Sequence, residues 1–162
     1  MDIKICCFTG HRVIPEGNMR KIFELMPSVL DELYGKGVRE FRAGGALGFD
    51  TLAALCVLDF RKTHPDVRLN LILPCRDQDQ KWSSFDRKTY RFIIEKADSV
   101  MYISELYTSG CMYKRNRSLV NGSDICLSYV ARSDGGSAYT FLYALEHGLE
   151  IINLYDIITK SK

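Results

Sequence analysis

The sequence predicts an α/β fold of three layers, with helices on both faces of a mainly parallel sheet of about six strands. Three observations predict it. Short apolar runs rich in β-formers alternate from end to end with amphipathic stretches at helical spacing. Three of those runs end in a glycine turn that leads into a helix start: Thr9-Gly10-His11-Arg12, Gly44 to Asp50 (GGALGFD), and Asp134-Gly135-Gly136-Ser137. The chain has 162 residues, 46% of them hydrophobic and 26% charged, which suits one globular domain with a sizeable core.

Taken in order, the first strand is Ile3 to Phe8. A helix follows from Met19 to Tyr34, with Ile22, Leu25, Met26, Val29, Leu30 and Leu33 on one stripe. Pro27 should kink or divide it, and Gly35 and Gly37 stop it. The second strand, Val38 to Arg42, leads into a helix from about Phe49 to Thr63, closed by Pro65. The third strand, Val67 to Leu73, ends at Pro74; the polar loop Cys75 to Lys81 and a helix from about Ser83 to Ala97 come next. A strand at Ser99 to Ile103, a short helix at Met112 to Val120, a strand at Ile125 to Val130, a helix at Ser137 to His147 and a strand at Glu150 to Tyr155 complete the pattern. Residues 1–156 form one domain in this reading, and 157–162 a frayed tail. There is no internal repeat or low-complexity stretch.

β-α alternation of this kind implies a parallel sheet with right-handed crossovers. Ligands of such sheets sit beyond the carboxyl ends of the strands, where strand order reverses. All three glycine turns belong to that edge. A helix N-terminus leaves N–H groups unpaired and carries partial positive charge, so it attracts anions, above all phosphate. Glycine there lets the backbone approach a ligand closely. One such turn is weak evidence; three on one edge predict a pocket for a nucleotide or another phosphorylated small molecule.

Individual side chains keep two readings each. His11 and Arg12 either reach a phosphate or base, or serve as a loop hydrogen bonder and a surface charge. Asp50 either caps its helix or complements its dipole, or else bonds a sugar hydroxyl or holds the neighbouring loop. On the helix carrying Lys114-Arg115-Asn116-Arg117, the two arginines point about 200° apart, so at most one faces the pocket. Arg115 and Asn116 are the preferred pair, since a guanidinium beside an amide suits a phosphate–sugar unit. Trp82, the single tryptophan, either stacks on a base or packs its loop down.

Several classes are disfavoured. The glycine spacing is not GxGxxG, and GxSxG, HExxH and GxxxxGK[ST] are absent. The six cysteines form no CxxC pair, which argues against zinc and for reduced, mostly buried thiols; Cys6 and Cys7 should point to opposite faces. The net charge of +2 argues against nucleic acid as the partner. No long apolar run exists, and Met1 to Lys4 passes straight into a strand, so a cytoplasmic protein without a membrane anchor is expected. Tyr107, Tyr113 and Tyr139 would serve a homodimer interface.

The order TGHR, GGALGFD, LPCRDQDQKW, RNRSLV…SD and GGSAYTFLYALEHG resembles the SLOG superfamily over nearly all of the chain. Within it the chain is similar to small bacterial YpsA/YoqJ-like proteins, to the core of DprA and, in architecture, to the Lonely-guy phosphoribohydrolases. The resemblance implies a Rossmann-like fold with strand order 3-2-1 followed by the C-terminal strands and the fourth strand at an outer edge. It also implies a nucleotide held at the strand carboxyl edge. Gly10, Gly44, Gly45, Gly135, Gly136 and Ser137 would meet phosphate, with Arg12 or Arg115 countering its charge. Thr140 and Asn116 would bond sugar or phosphate oxygens, and Trp82 would cover the base. The phosphoribohydrolases carry a catalytic glutamate just past their glycine turn. Here Phe141, Leu142 and Tyr143 hold no carboxylate and Glu146 lies about a turn too far on, so binding without catalysis is the leading expectation. A phosphoribohydrolase-like N-glycosidase is the alternative, and DprA-like binding of single-stranded DNA the third. No cofactor or metal is required, and the bound group would be the nucleotide or phosphate itself.

Overall fold

The structure, a computed structural model, describes residues 2–160. Six strands, β1 (Lys4–Gly10), β2 (Val38–Ala43), β3 (Arg68–Leu73), β4 (Ser99–Tyr102), β5 (Ile125–Tyr129) and β6 (Glu150–Asn153), alternate with six helices. The helices are α1 (Glu16–Gly35), α2 (Phe49–Arg61), α3 (Ser84–Lys96), α4 (Cys111–Val120), α5 (Gly136–Glu146) and α6 (Leu154–Lys160). The sheet runs β4-β3-β2-β1-β5-β6, and every neighbouring pair is parallel. This is the three-layer Rossmann-like arrangement and the strand order expected above. Because the chain builds outward from β1 to β4 and then returns to β5, strand order reverses between β1 and β5. At that reversal the loops leaving two neighbouring strands diverge to opposite faces and open a crevice.

Two apolar layers hold the helices. On one face α1, α2, α3 and α6 pack on Phe8, Phe41, Leu71, Leu127 and Tyr129. On the other, Leu119 and Val120 of α4 and Ala144 of α5 pack on Cys7, Ile72 and Cys126. Cys6 and Cys7 therefore do face opposite layers. All six cysteines are free thiols, and burial pushes the Cys56 thiol to about 11 and the Cys75 thiol to about 12.

Three elements differ from the sequence-based expectation. The first helix starts at Glu16, behind Pro15, and passes Pro27 without division. Pro27 is exposed, and the buried stripe Ile22, Met26, Val29, Leu30 and Leu33 continues on both sides of it, so packing outweighs the ~3 kcal/mol that an interior proline costs. The sixth strand stops at Asn153, and Tyr155 belongs to a helix. The expected tail from 157 is helical to Lys160, because Leu154 and Ile158, one turn apart, both bury against the larger core. Residues 161 and 162 of that tail lie outside the described residues. Among the described residues no helix is long and apolar enough to cross a membrane.

Candidate functional site

A pocket of about 370 Å³ opens in the crevice between β1 and β5. Its floor is the end of β1, Phe8 to Gly10. His11, Arg12 and Ala46 line it from the first two turns, Asp50 from α2, and Met112, Arg115, Asn116 and Leu119 from α4. Arg132 and Asp134 to Ser137 close it from the β5–α5 side.

The glycines of the three turns differ in what makes them necessary. A Cβ on Gly10 would stand 2.5 Å from the Phe49 side chain, so glycine at the first turn admits the start of α2. Gly48, at φ +80°, places its α-carbon where a Cβ would meet the Arg12 carbonyl oxygen at 2.3 Å. That contact lets the Phe49 N–H donate to the His11 carbonyl at 3.1 Å, and the first two turns are bonded backbone to backbone. A Cβ on Gly44 would meet the Arg115 guanidinium, and one on Gly45 the Leu73 side chain. Only the third turn faces open space: nothing lies within 4 Å of a Cβ on Gly135, and on Gly136 the nearest atom is Asn116 Nδ2 at 3.8 Å. The α5 N-terminus behind it has no side-chain cap and no acidic residue in its first turn.

Arg115 is 4% exposed. Its Nε donates to Asn116 Oδ1 at 2.7 Å, one Nη donates to the Gly44 carbonyl, and the other lies 3.8 Å from the Met112 thioether. Asp50, also buried, accepts the Ala46 N–H at 3.2 Å. Burial pushes its carboxyl up to about 6, against the pull of the Arg115 charge and the Ala46 N–H. His11, 6% exposed, accepts at Nε2 from the Ala131 N–H at 2.8 Å and the Arg132 N–H at 3.3 Å, while Nδ1 lies 2.7 Å from Ser137 Oγ. Burial, then the Arg132 charge, lowers its pKa.

Nine of the thirteen residues singled out from the sequence line this pocket: Gly10, His11, Arg12, Asp50, Arg115, Asn116, Gly135, Gly136 and Ser137. Four do not, and each has a local reason. Gly44 lies beneath Arg115, and Gly45 turns against Leu73 and Tyr90. Thr140 is buried, its hydroxyl donating to the Gly136 carbonyl at 2.9 Å. Trp82 packs edge-on against Tyr90 with ring centroids 5.0 Å apart, against the larger core and outside the lining of this pocket. Arg117 points away and donates to the Tyr139 hydroxyl at 3.3 Å. Arg132 and Met112 line the pocket but were missed; the only sequence signal was an arginine placed directly after an apolar strand, before the glycine turn. The modest net charge of the chain also conceals a local gathering, since Arg12, Arg115 and Arg132 face two carboxylates, Asp50 and Asp134. Among the described residues no cluster of three or more metal-ligating side chains occurs.

The family model described as YspA SLOG family matches residues 15–158. The chain is 27% identical over 139 residues to the uncharacterised SPbeta prophage-derived protein YoqJ of Bacillus subtilis, covering 78% of this chain and 81% of YoqJ. It is 32% identical over 126 residues to a UPF0398 protein of Halalkalibacterium halodurans, covering 76% of this chain and 65% of that one, just under two thirds. Among solved structures it is similar to the DNA processing protein A of Streptococcus pneumoniae, with a TM-score of 0.66 and 15% identity, over 92% of this chain and 49% of that one. The same protein from Helicobacter pylori, described for its single-stranded DNA binding mode, matches with a TM-score of 0.64 and 18% identity, over 98% and 72%. At these identities the structural likeness concerns the fold.

Proposed function

The chain belongs to the YspA SLOG family, and on that footing we propose that it binds a nucleotide or nucleotide derivative in the β1–β5 crevice, without cleaving it. One observation carries the reading. Of the three glycine turns only the third leaves its backbone open, and it sets the uncapped α5 N-terminus beside Arg115 and Arg132. Uncapped N–H groups with a guanidinium alongside form the donor set that a phosphate oxygen fills. The volume of about 370 Å³ suits a nucleotide with part of it outside the mouth. On α5 the positions after the turn are Phe141, Leu142 and Tyr143, so the carboxylates available to the pocket are Asp50 and Asp134 from other elements.

A thermal-shift panel of AMP, ADP, ATP and the corresponding cytidine nucleotides tests the proposal. At one hundred times its Kd a bound nucleotide stabilises by about 2.7 kcal/mol, a rise in Tm of roughly 5 to 10 °C for a domain of this size. Gly136→Asp has room for its side chain and suits a helix start, so it is expected to fold normally and to abolish the shift. No shift with any nucleotide in the wild type would sink the reading. Release of free base from AMP or CMP, lost in Arg115→Ala, would replace it by an N-glycosidase.

The cluster of Arg12, Arg115 and Arg132, on a fold shared with a DNA-binding protein, supports single-stranded DNA as a second reading. It requires oligothymidylate to bind with a steep salt dependence while mononucleotides give no shift.

A further inference from the structure

The hydrogen bonds of His11 determine where its proton resides. A backbone N–H can only donate, and two of them, from Ala131 and Arg132, point at Nε2 at 2.8 and 3.3 Å. Nε2 therefore carries its lone pair. A neutral imidazole with a bare Nε2 holds its proton on Nδ1, and Nδ1 lies 2.7 Å from Ser137 Oγ. The ring thus donates to the serine. Ser137 Oγ uses a lone pair on that bond, and its own proton is left free to turn toward the pocket it lines. This polarity is the reverse of a serine nucleophile with a histidine base, in which the serine must donate to the ring.

We propose that His11 is the positioning residue of this pocket: as a neutral Nδ1–H imidazole it clasps the 131–137 loop to the end of β1 and commits the Ser137 hydroxyl as a donor to a phosphoryl oxygen. The assignment rests on the anion-pocket reading above and names the group within it that recognises the anion. It gives His11 one working state. A proton on Nε2 would confront the Ala131 and Arg132 N–H groups and release the loop. The charged groups around the ring are Arg12 beside it, Arg132 and Asp134 on the loop, and Asp50 and Arg115 across the pocket, with the Tyr129 ring edge-on at 5.9 Å. The lowered pKa of His11 agrees with a ring kept neutral.

Inorganic sulfate, a tetrahedral dianion whose charge is constant from pH 5 to 8, is the probe that separates the clasp from ordinary electrostatics. Protonation of His11 and of Asp50 each makes the pocket more positive, and charge alone would tighten sulfate binding in acid. The clasp requires the opposite from His11. His11→Gln can accept the two N–H groups but does not titrate, and it retains whatever Asp50 contributes. Relative to this variant, wild-type affinity for sulfate is expected to fall about tenfold between pH 7.5 and about one pH unit below the His11 midpoint read by NMR, the worth of one hydrogen bond to a charged group. Ser137→Ala is expected to lose about tenfold at pH 7.5 with an unchanged unfolding midpoint. ¹⁵N NMR of the histidine ring should report the Nδ1–H tautomer at pH 7.5 and a titration midpoint below 6.5. An Nε2–H tautomer, a wild-type to His11→Gln ratio that is flat or rises in acid, or full affinity in Ser137→Ala would each overturn the proposal. A wild type that binds no sulfate would sink the anion pocket itself and with it the Ser137 donor, while the tautomer would still decide the clasp.

Discussion

Gly48→Ala is expected to destabilise the fold by about 3 to 5 kcal/mol, the largest effect of a methyl added at any of the glycines in the three turns. Two costs act together. The residue sits at φ +80° and ψ −121°, a region essentially closed to residues with a Cβ. The added carbon would also stand 2.3 Å from the Arg12 carbonyl oxygen, which is backbone and cannot rotate away. To relieve the contact the start of α2 must withdraw from the first turn, which breaks the Phe49 N–H bond to the His11 carbonyl and opens the floor of the pocket. Gly135→Ala is the contrast. Its φ of +92° imposes strain of about 1 to 3 kcal/mol, but nothing lies within 4 Å of the new atom. Urea unfolding of the two variants measures the difference. Equal losses would mean that conformation alone, not the close approach of two loops, explains the glycine at 48.

That contrast also shows what a sequence can and cannot tell about such turns. Layering and the shared edge were legible because they follow from the alternation of period-two and period-3.6 patterns, which residue types alone display; strand order was legible only through the resemblance to the SLOG superfamily. Glycine after a strand announces that a side chain is forbidden but not what forbids it. At Gly10 it is Phe49 and at Gly44 it is Arg115, both distant in the chain, whereas at Gly135 it is conformation. Trp82 was ambiguous for the same reason, since its partner Tyr90 lies on the following helix and an aromatic residue in a loop looks the same whether it stacks on a base or on a neighbour. The α6 helix was illegible because two apolar residues one turn apart, Leu154 and Ile158, are too short a pattern to separate from a strand end and a tail. Arg132 was missed because an exposed arginine among serine and aspartate reads as solvated surface until the fold brings it to the mouth of a pocket.

Arg115→Met should cost about 2 to 4 kcal/mol at pH 7.5, and the cost should shrink as the pH falls. Methionine keeps most of the buried volume but removes the donors to the Gly44 carbonyl and Asn116, and with them the positive charge that Asp50 faces. Asp50 already titrates at about 6 rather than 3.8, because burial outweighs the arginine's attraction. A carboxyl whose folded pKa is raised binds more protons folded than unfolded, so stability falls as pH rises from about 4 through the folded value, by on the order of 3 kcal/mol in the wild type. Without Arg115 the folded pKa climbs further and the decline extends to higher pH, so the two curves separate between pH 5 and 8. Asp50→Asn removes that titration. Combined with Arg115→Met, it is expected to recover at least 1 kcal/mol of the loss at pH 7.5 and nothing at pH 5, as a double-mutant cycle by urea unfolding would show. A cycle with no coupling at either pH would mean that Arg115 is held for the Gly44 carbonyl alone. With coupling, the pocket keeps a buried acid and a buried guanidinium in balance beside the proposed anion site. A phosphate bound there would share Arg115 with Asp50, raising the carboxyl further and drawing a proton onto it, so nucleotide binding near pH 7 would be accompanied by proton uptake. Isothermal titration with AMP in two buffers of different ionisation enthalpy measures that uptake, and Asp50→Asn should abolish it.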